Sequence, residues 1–188
     1  LLVISILCTQ RGSDRSGEDL VATSNYIVGN ELESEDILFI TGNRTASFQS
    51  DVDIQIDGDR TARVRSEDEE TEEISIERYT MNRLIIPYGK RSRITLADGT
   101  QVWLNSGSTL EFPSTFTENT REVRLSGEMY IEVAPDKHKL FYVHTSDFNV
   151  KVYGTKFNVS SYSGSQSSVV LAEGRVGLQS ADRQELFL

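Results

Sequence analysis

Four stretches in the second half of the chain repeat one pattern: alternating apolar residues, a glycine, then alternating apolar residues again. They run Ile94-Thr-Leu-Ala-Asp-Gly-Thr-Gln-Val-Trp-Leu-Asn105, Val123-Arg-Leu-Ser-Gly-Glu-Met-Tyr-Ile-Glu-Val133, Val150-Lys-Val-Tyr-Gly-Thr-Lys-Phe-Asn-Val159 and Val169-Val-Leu-Ala-Glu-Gly-Arg-Val-Gly-Leu178. Alternation puts every second side chain on one face of an extended strand, so each stretch reads as half-buried strands. The Asp-Gly, Ser-Gly, Tyr-Gly and Glu-Gly steps read as turns between them, because glycine accepts the positive φ that tight connections need. Their glycines, Gly99, Gly127, Gly154 and Gly174, lie 28, 27 and 20 residues apart, a spacing that signals stacked supersecondary units. The pattern predicts an all-β fold, either a twisted β-solenoid or an open β-sandwich of repeated strand-turn-strand units. Leu96, Leu125, Val152 and Leu171 each precede a repeat glycine by two or three residues, and should share one core.

The first half carries weaker signals of the same kind. Asp51-Val-Asp-Ile-Gln-Ile-Asp-Gly-Asp59 alternates, turns on Asp57-Gly58 and returns through Thr61-Ala-Arg-Val64, which is a hairpin signature. Ser66-Glu-Asp-Glu-Glu-Thr-Glu-Glu73 is a charge run, most simply a solvated loop. Helical periodicity is scarce; short helices fit only around 13–25 or 113–121.

The distribution of charge excludes one class of partner. Of the net charge of −10, residues 1–80 carry −11 and residues 81–188 carry +1. An acidic chain with no basic concentration lacks the phosphate-neutralising surface that DNA or RNA requires. Cys8 is the single cysteine, so no internal disulfide forms and cysteine usage does not indicate a compartment. The opening Leu1-Leu-Val-Ile-Ser-Ile-Leu-Cys8 is apolar but for Ser5, far short of the ~20 residues that span a bilayer. It reads as the outer end of a membrane helix, as a signal-peptide core before a lipidated cysteine, or as a buried strand. The polar Thr9–Gly17 that follows would suit a juxtamembrane linker.

Candidate chemistry is sparse. His138 and His144 are the only histidines; on one strand they would stand about 20 Å apart at ~3.3 Å per residue, too far to share an ion. Asp53–Asp59 has a calcium-loop-like start, but the twelfth position is Val64, where a bidentate Glu is required. Asp98, Glu111, Glu128, Glu132 and Glu173 could supply a carboxylate pair only at a defined separation, and two of them, Asp98 and Glu173, sit beside turn glycines where they would bond to backbone. No cofactor, metal or catalytic constellation is expected. Trp103, the sole tryptophan, alternates with Val102 and Leu104 and should face outward, as a sugar platform, a partner contact or a cap on the core. Outward candidates for partner contacts are Trp103, Glu111, Tyr130 and Tyr153.

With these residues assembled, the second half resembles the FecR family. Leu96-Ala-Asp-Gly-Thr-Gln-Val-Trp-Leu-Asn105, Gly127-Glu-Met-Tyr-Ile-Glu-Val133 and Gly154-Thr-Lys-Phe-Asn-Val159 carry the likeness, in that order and spacing, over roughly 84–180. The family pattern covers Asp98, Gly99, Thr100, Trp103, Leu104, Asn105, Gly127, Glu128, Gly154, Thr155, Phe157, Asn158, Glu173 and Gly174, which are expected to be structural. One departure is Lys139-Leu140-Phe141, where the family usually has proline before the Phe. The resemblance implies the periplasmic part of a single-pass inner-membrane anti-sigma factor. It would relay a signal from an outer-membrane TonB-dependent transducer to an extracytoplasmic-function sigma factor, held by a cytoplasmic segment absent here. The alternative reading is a carbohydrate-binding or adhesive β-solenoid module. The expected division is 1–8 as the end of a membrane helix, 9–80 as an acidic periplasmic segment with β-hairpins, 81–180 as the FecR-like domain and 181–188 as the start of a truncated C-terminal region.

Overall fold

The computed structural model describes residues 2–5, 34–58, 60–66, 71–78, 80–180 and 185–187. The linker expected at 9–17, the short helix considered at 13–25 and half of the apolar opening lie outside the described residues, and none of the described segments is a helix able to cross a membrane. All regular structure described is strand. In chain order the first strands are β1 (Leu2–Ser5), β2 (Ile37–Thr41), β3 (Arg44–Phe48), β4 (Val52–Ile56), β5 (Thr61–Ser66), β6 (Glu72–Ser75), β7 (Met81–Ile86), β8 (Ser92–Thr95) and β9 (Gln101–Leu104). Then come β10 (Ser108–Pro113), β11 (Thr120–Glu132), β12 (Leu140–His144), β13 (Phe148–Val152), β14 (Lys156–Ser161), β15 (Ser168–Glu173), β16 (Gly177–Ser180) and β17 (Glu185–Phe187).

Pairing arranges them as one curled, open sheet with two arms. The first arm runs β6-β5-β4-β8-β9-β11-β14-β15-β1. The second runs β3-β2-β7-β10-β11-β12-β13-β16-β17. Only β4–β8 and β11–β12 are parallel. A solenoid of stacked parallel rungs is therefore not what forms; of the two all-β arrangements left open by the sequence, the chain adopts the open one. The alternation seen in the sequence becomes alternation of burial, as in β4, where Val52, Ile54 and Ile56 face in and Asp53 and Gln55 face out. Inward residues of both arms form one core cluster: Ile54, Ile94 and Val102 from the first arm, and Phe39, Leu84 and Phe141 from the second.

The 13-residue β11 belongs to both arms. Thr120–Ser126 pairs with β12 and β10, and Gly127–Glu132 pairs with β14 and β9. The Ser126-Gly127 step is thus not a turn that reverses the chain; the strand continues and changes partners there. Gly127 has φ of 109°, and a Cβ on it would lie 2.6 Å from the Cα of Ser108. Only glycine meets both demands, a positive φ and so close a backbone approach. Ser108 secures the crossing: its hydroxyl accepts from Glu128 N at 2.8 Å and donates to Glu128 O at 3.0 Å.

Other expectations need adjusting. Leu96, Leu125 and Val152 are buried in the common core, but Leu171 is only half-buried and packs against it. β15 lies next to the outermost strand of its arm, and its register shifts between Lys156 and Phe157, so Val169 takes the enclosed position instead. Residues 113–121 form no helix; they are the end of β10, the connection 114–119 and the start of β11. The charge run ends in β6, with Glu72 and Glu73 exposed on a strand. β4 and β5 form the hairpin read at 51–64.

Candidate functional site

Arg121 gathers the repeat turns at one end of the sheet. It stands at an inward position of β11 in phase with Val123 and Leu125, and is almost fully enclosed. Its guanidinium donates to Asp98 Oδ2 (3.0 Å), Ala134 O (2.7 Å), Lys139 O (2.8 and 3.2 Å) and Tyr153 O (3.2 Å), and lies over the Phe141 ring, 5.3 Å from its centroid. Asp98 in turn accepts from the backbone N and hydroxyl of Thr100, whose hydroxyl oxygen accepts from Ala134 N. Such an Asx turn holds the β8–β9 connection through the two residues that flank Gly99. Thr155 donates to Arg175 O, linking the next two connections. Gly154 has an ordinary φ; it is required for space, since a Cβ there would meet Pro135 Cα at 2.7 Å. Asp98, Gly99, Thr100, Gly154, Thr155 and Gly174 thus come together, though they are far apart in sequence. Arg121 was not singled out from the sequence, although a charged residue in phase with buried apolar ones was the available signal.

The second assembly is on the outer face of the first arm. One line of directly opposed residues crosses it: Asp53 on β4, Arg93 on β8, Trp103 on β9, Tyr130 on β11 and Asn158 on β14. The Trp103 and Tyr130 rings are 5.4 Å apart and tilted by 47°, a spacing at which aromatic pairs attract. Arg93 covers the other side of the indole, 5.2 Å from its centroid, held there by Gln101 Oε1 at 2.6 Å and Asp53 at 3.5 Å. One level along, Glu128 accepts from two amides, Asn158 Nδ2 at 3.1 Å on one oxygen and Asn105 Nδ2 at 3.3 Å on the other. At the opposite level Lys156 bridges Glu132 and Glu173 at 3.8 and 3.4 Å. Hydrogen bonding to Glu173, then the charges of both carboxylates, raise the Lys156 pKa. Burial, then the hydrogen bond to Glu132, raise that of the Tyr130 phenol. This face forms a concavity of about 700 Å³.

The remaining candidates are scattered. Leu104 and Phe157 are core residues. Glu111 lies on the outer face of the second arm, paired with Arg83 at 2.8 Å and Arg124 at 3.8 Å. Tyr153 projects from the turn end, 52 % exposed. His144 contacts Glu122 at 3.2 Å and Asn149 at 2.8 Å. Asp53, once considered for calcium, is the Arg93 partner, and among the described residues no group of three or more His, Cys, Asp or Glu is gathered closely enough to hold a metal.

Comparison with known proteins adds to this geometry. Curated protein sequences include no match to the chain. Two crystal structures of a candidate anti-sigma factor from Parabacteroides distasonis ATCC 8503, at 1.65 and 2.50 Å resolution, are similar to it. The first is 33 % identical with a TM-score of 0.55, over 56 % of this chain and 50 % of that one. The second is 32 % identical with a TM-score of 0.56, over 57 % and 51 %. This chain therefore spans about half the length of those proteins. The family model described as FecR protein matches residues 82–177, from β7 through the first residue of β16, which includes the Arg121 turn cluster and, of the outer face, Arg93, Trp103, Glu128, Tyr130 and Asn158 but not Asp53. The chain belongs to the FecR family.

Proposed function

We propose that the chain is the periplasmic sensor part of a transmembrane anti-sigma factor, relaying a signal from an outer-membrane TonB-dependent transducer to an extracytoplasmic-function sigma factor by protein–protein contact. The observation that carries this is the FecR match over 82–177, with the likeness to a candidate anti-sigma factor over 56 % of the chain. The side-chain chemistry agrees with a contact module that works without catalysis. The carboxylates considered for glycoside cleavage are engaged separately: Asp98 with Arg121, Glu111 with Arg83, Glu128 with two amides, and Glu132 and Glu173 with Lys156. Three outward regions are candidates for the relay: the Trp103–Tyr130 face, Glu111 on the other arm and Tyr153 at the turn end.

The test is a sigma-dependent reporter in cells carrying the full-length protein with Trp103→Ala, Tyr130→Ala, Glu111→Ala or Tyr153→Ala, with protein abundance measured in parallel. A changed reporter at normal abundance for at least one variant is expected. An unchanged reporter for all four at normal abundance would overturn the relay role of this module.

A further inference from the structure

We infer that the outer face around Trp103, Tyr130 and Glu128 is a binding site for a neutral carbohydrate, so that the module recognises a saccharide directly as well as contacting proteins. Three features of the face lead there. First, β8, β9, β11 and β14 are each paired on both sides, so their backbone groups are already satisfied. A peptide cannot bind here by strand addition, which needs a free edge; a ligand must meet side chains with its own surface. Second, those side chains combine an aromatic pair with planar polar groups that are already oriented. Glu128 spends one acceptor site of each oxygen on an amide, and each of the two amides donates one hydrogen to it. A carboxylate oxygen has a further lone pair and an amide nitrogen a second hydrogen, and these can meet vicinal hydroxyls while the C–H face of a sugar ring lies against the half-buried outward side of the Trp103–Tyr130 pair, whose indole already carries Arg93 and Tyr130 on its two faces. Groups fixed by neighbouring strands lose little freedom on binding. Third, charge balances: the concavity is lined by carboxylates from Asp51, Asp53 and Glu128 and by guanidinium groups from Arg65, Arg91 and Arg93. Such a surface does not select a strongly charged ligand. Its volume, about 700 Å³, is in the range of small-ligand sites.

Because Trp103 is the sole tryptophan, its emission reports on this face alone. The experiment titrates the full chain with neutral oligosaccharides (cello-, xylo-, malto- and laminari-oligosaccharides), following Trp103 fluorescence and, in parallel, heat of binding by calorimetry. At least one series should give a saturable change in both. Asn158→Ala should weaken it about 10-fold or more, and Trp103→Ala should abolish the heat while the circular dichroism stays that of the parent. The inference is overturned by folded protein that gives no saturable signal with any series, by binding that both variants leave intact, or by a Trp103 response only to acidic saccharides or only to a transducer's signalling domain. The reporter assay is independent: it can fail with sugar binding intact, or succeed through Glu111 or Tyr153 with sugar binding absent.

Discussion

At the residue scale, the most heavily used side chain is Arg121. Removing its charge while keeping a similar stem, as in Arg121→Met, strands three carbonyl groups and leaves Asp98 without its cation. Breaking one side of a buried pair costs about 3–5 kcal/mol, and Arg121→Met should lose that much in urea unfolding. Asp98→Asn should cost less, because the guanidinium keeps its carbonyl partners; equal losses would show that the ion pair, and not the carbonyl network, holds the turns. Tyr130 gives a pH signature. Burial first, and the Glu132 hydrogen bond second, raise its phenol above the ordinary 10.0. A raised folded-state pKa means stability that is complete below the unfolded value and is lost as pH rises through the folded one. Phenolate absorbance should therefore show Tyr130 titrating late, alongside Tyr162, whose phenol burial also raises. In Glu132→Gln the Tyr130 phenol should return only part of the way, since the larger cause remains; a complete return would mean Glu132 dominates.

At the scale of the element, β11 decides the architecture. A strand of 13 residues is long for a globular protein, and this one serves two arms by changing partners at Gly127. Gly127→Ala combines a positive φ with a backbone clash against Ser108, so strain of ~1–2 kcal/mol adds to overpacking of ~1–3 kcal/mol. Gly99→Ala, with φ of 85° and nothing within 4 Å of the added carbon, carries the strain alone. Thermal unfolding should rank Gly127→Ala as clearly the more destabilised; equal midpoints would remove the crossing from its central place. This contrast was not legible in the sequence. The Ser126-Gly127 and Asp98-Gly99 steps look alike as local text, and only the neighbour across the strand distinguishes a crossing from a hairpin.

For the whole molecule, the part that matches the family is not structurally separate from the part before it. β2 pairs with β7, β4 pairs with β8, and Phe39 stacks on Phe112 at 6.3 Å. A chain starting at residue 80 would leave β7 and β8 with unpaired edges and open the core beside Leu84 and Ile94. Such a chain should lose cooperative unfolding and bind a hydrophobic dye; a sharp transition matching the full chain would show that β2–β6 are an accessory.

The sequence by itself determined the all-β class, which face of nearly every strand is buried and the outward placement of Trp103, because a period of two is a local property of an extended chain. Family membership was legible for the same reason, being carried by short contiguous motifs. Which strands meet was decided only in the tertiary structure. Register across 13 to 32 residues brought Trp103 beside Tyr130, set Asn105 and Asn158 on either side of Glu128, and placed four carbonyl contacts around Arg121. Those adjacencies follow from backbone hydrogen bonding between distant segments over one shared core, and the local pattern of side chains does not encode them.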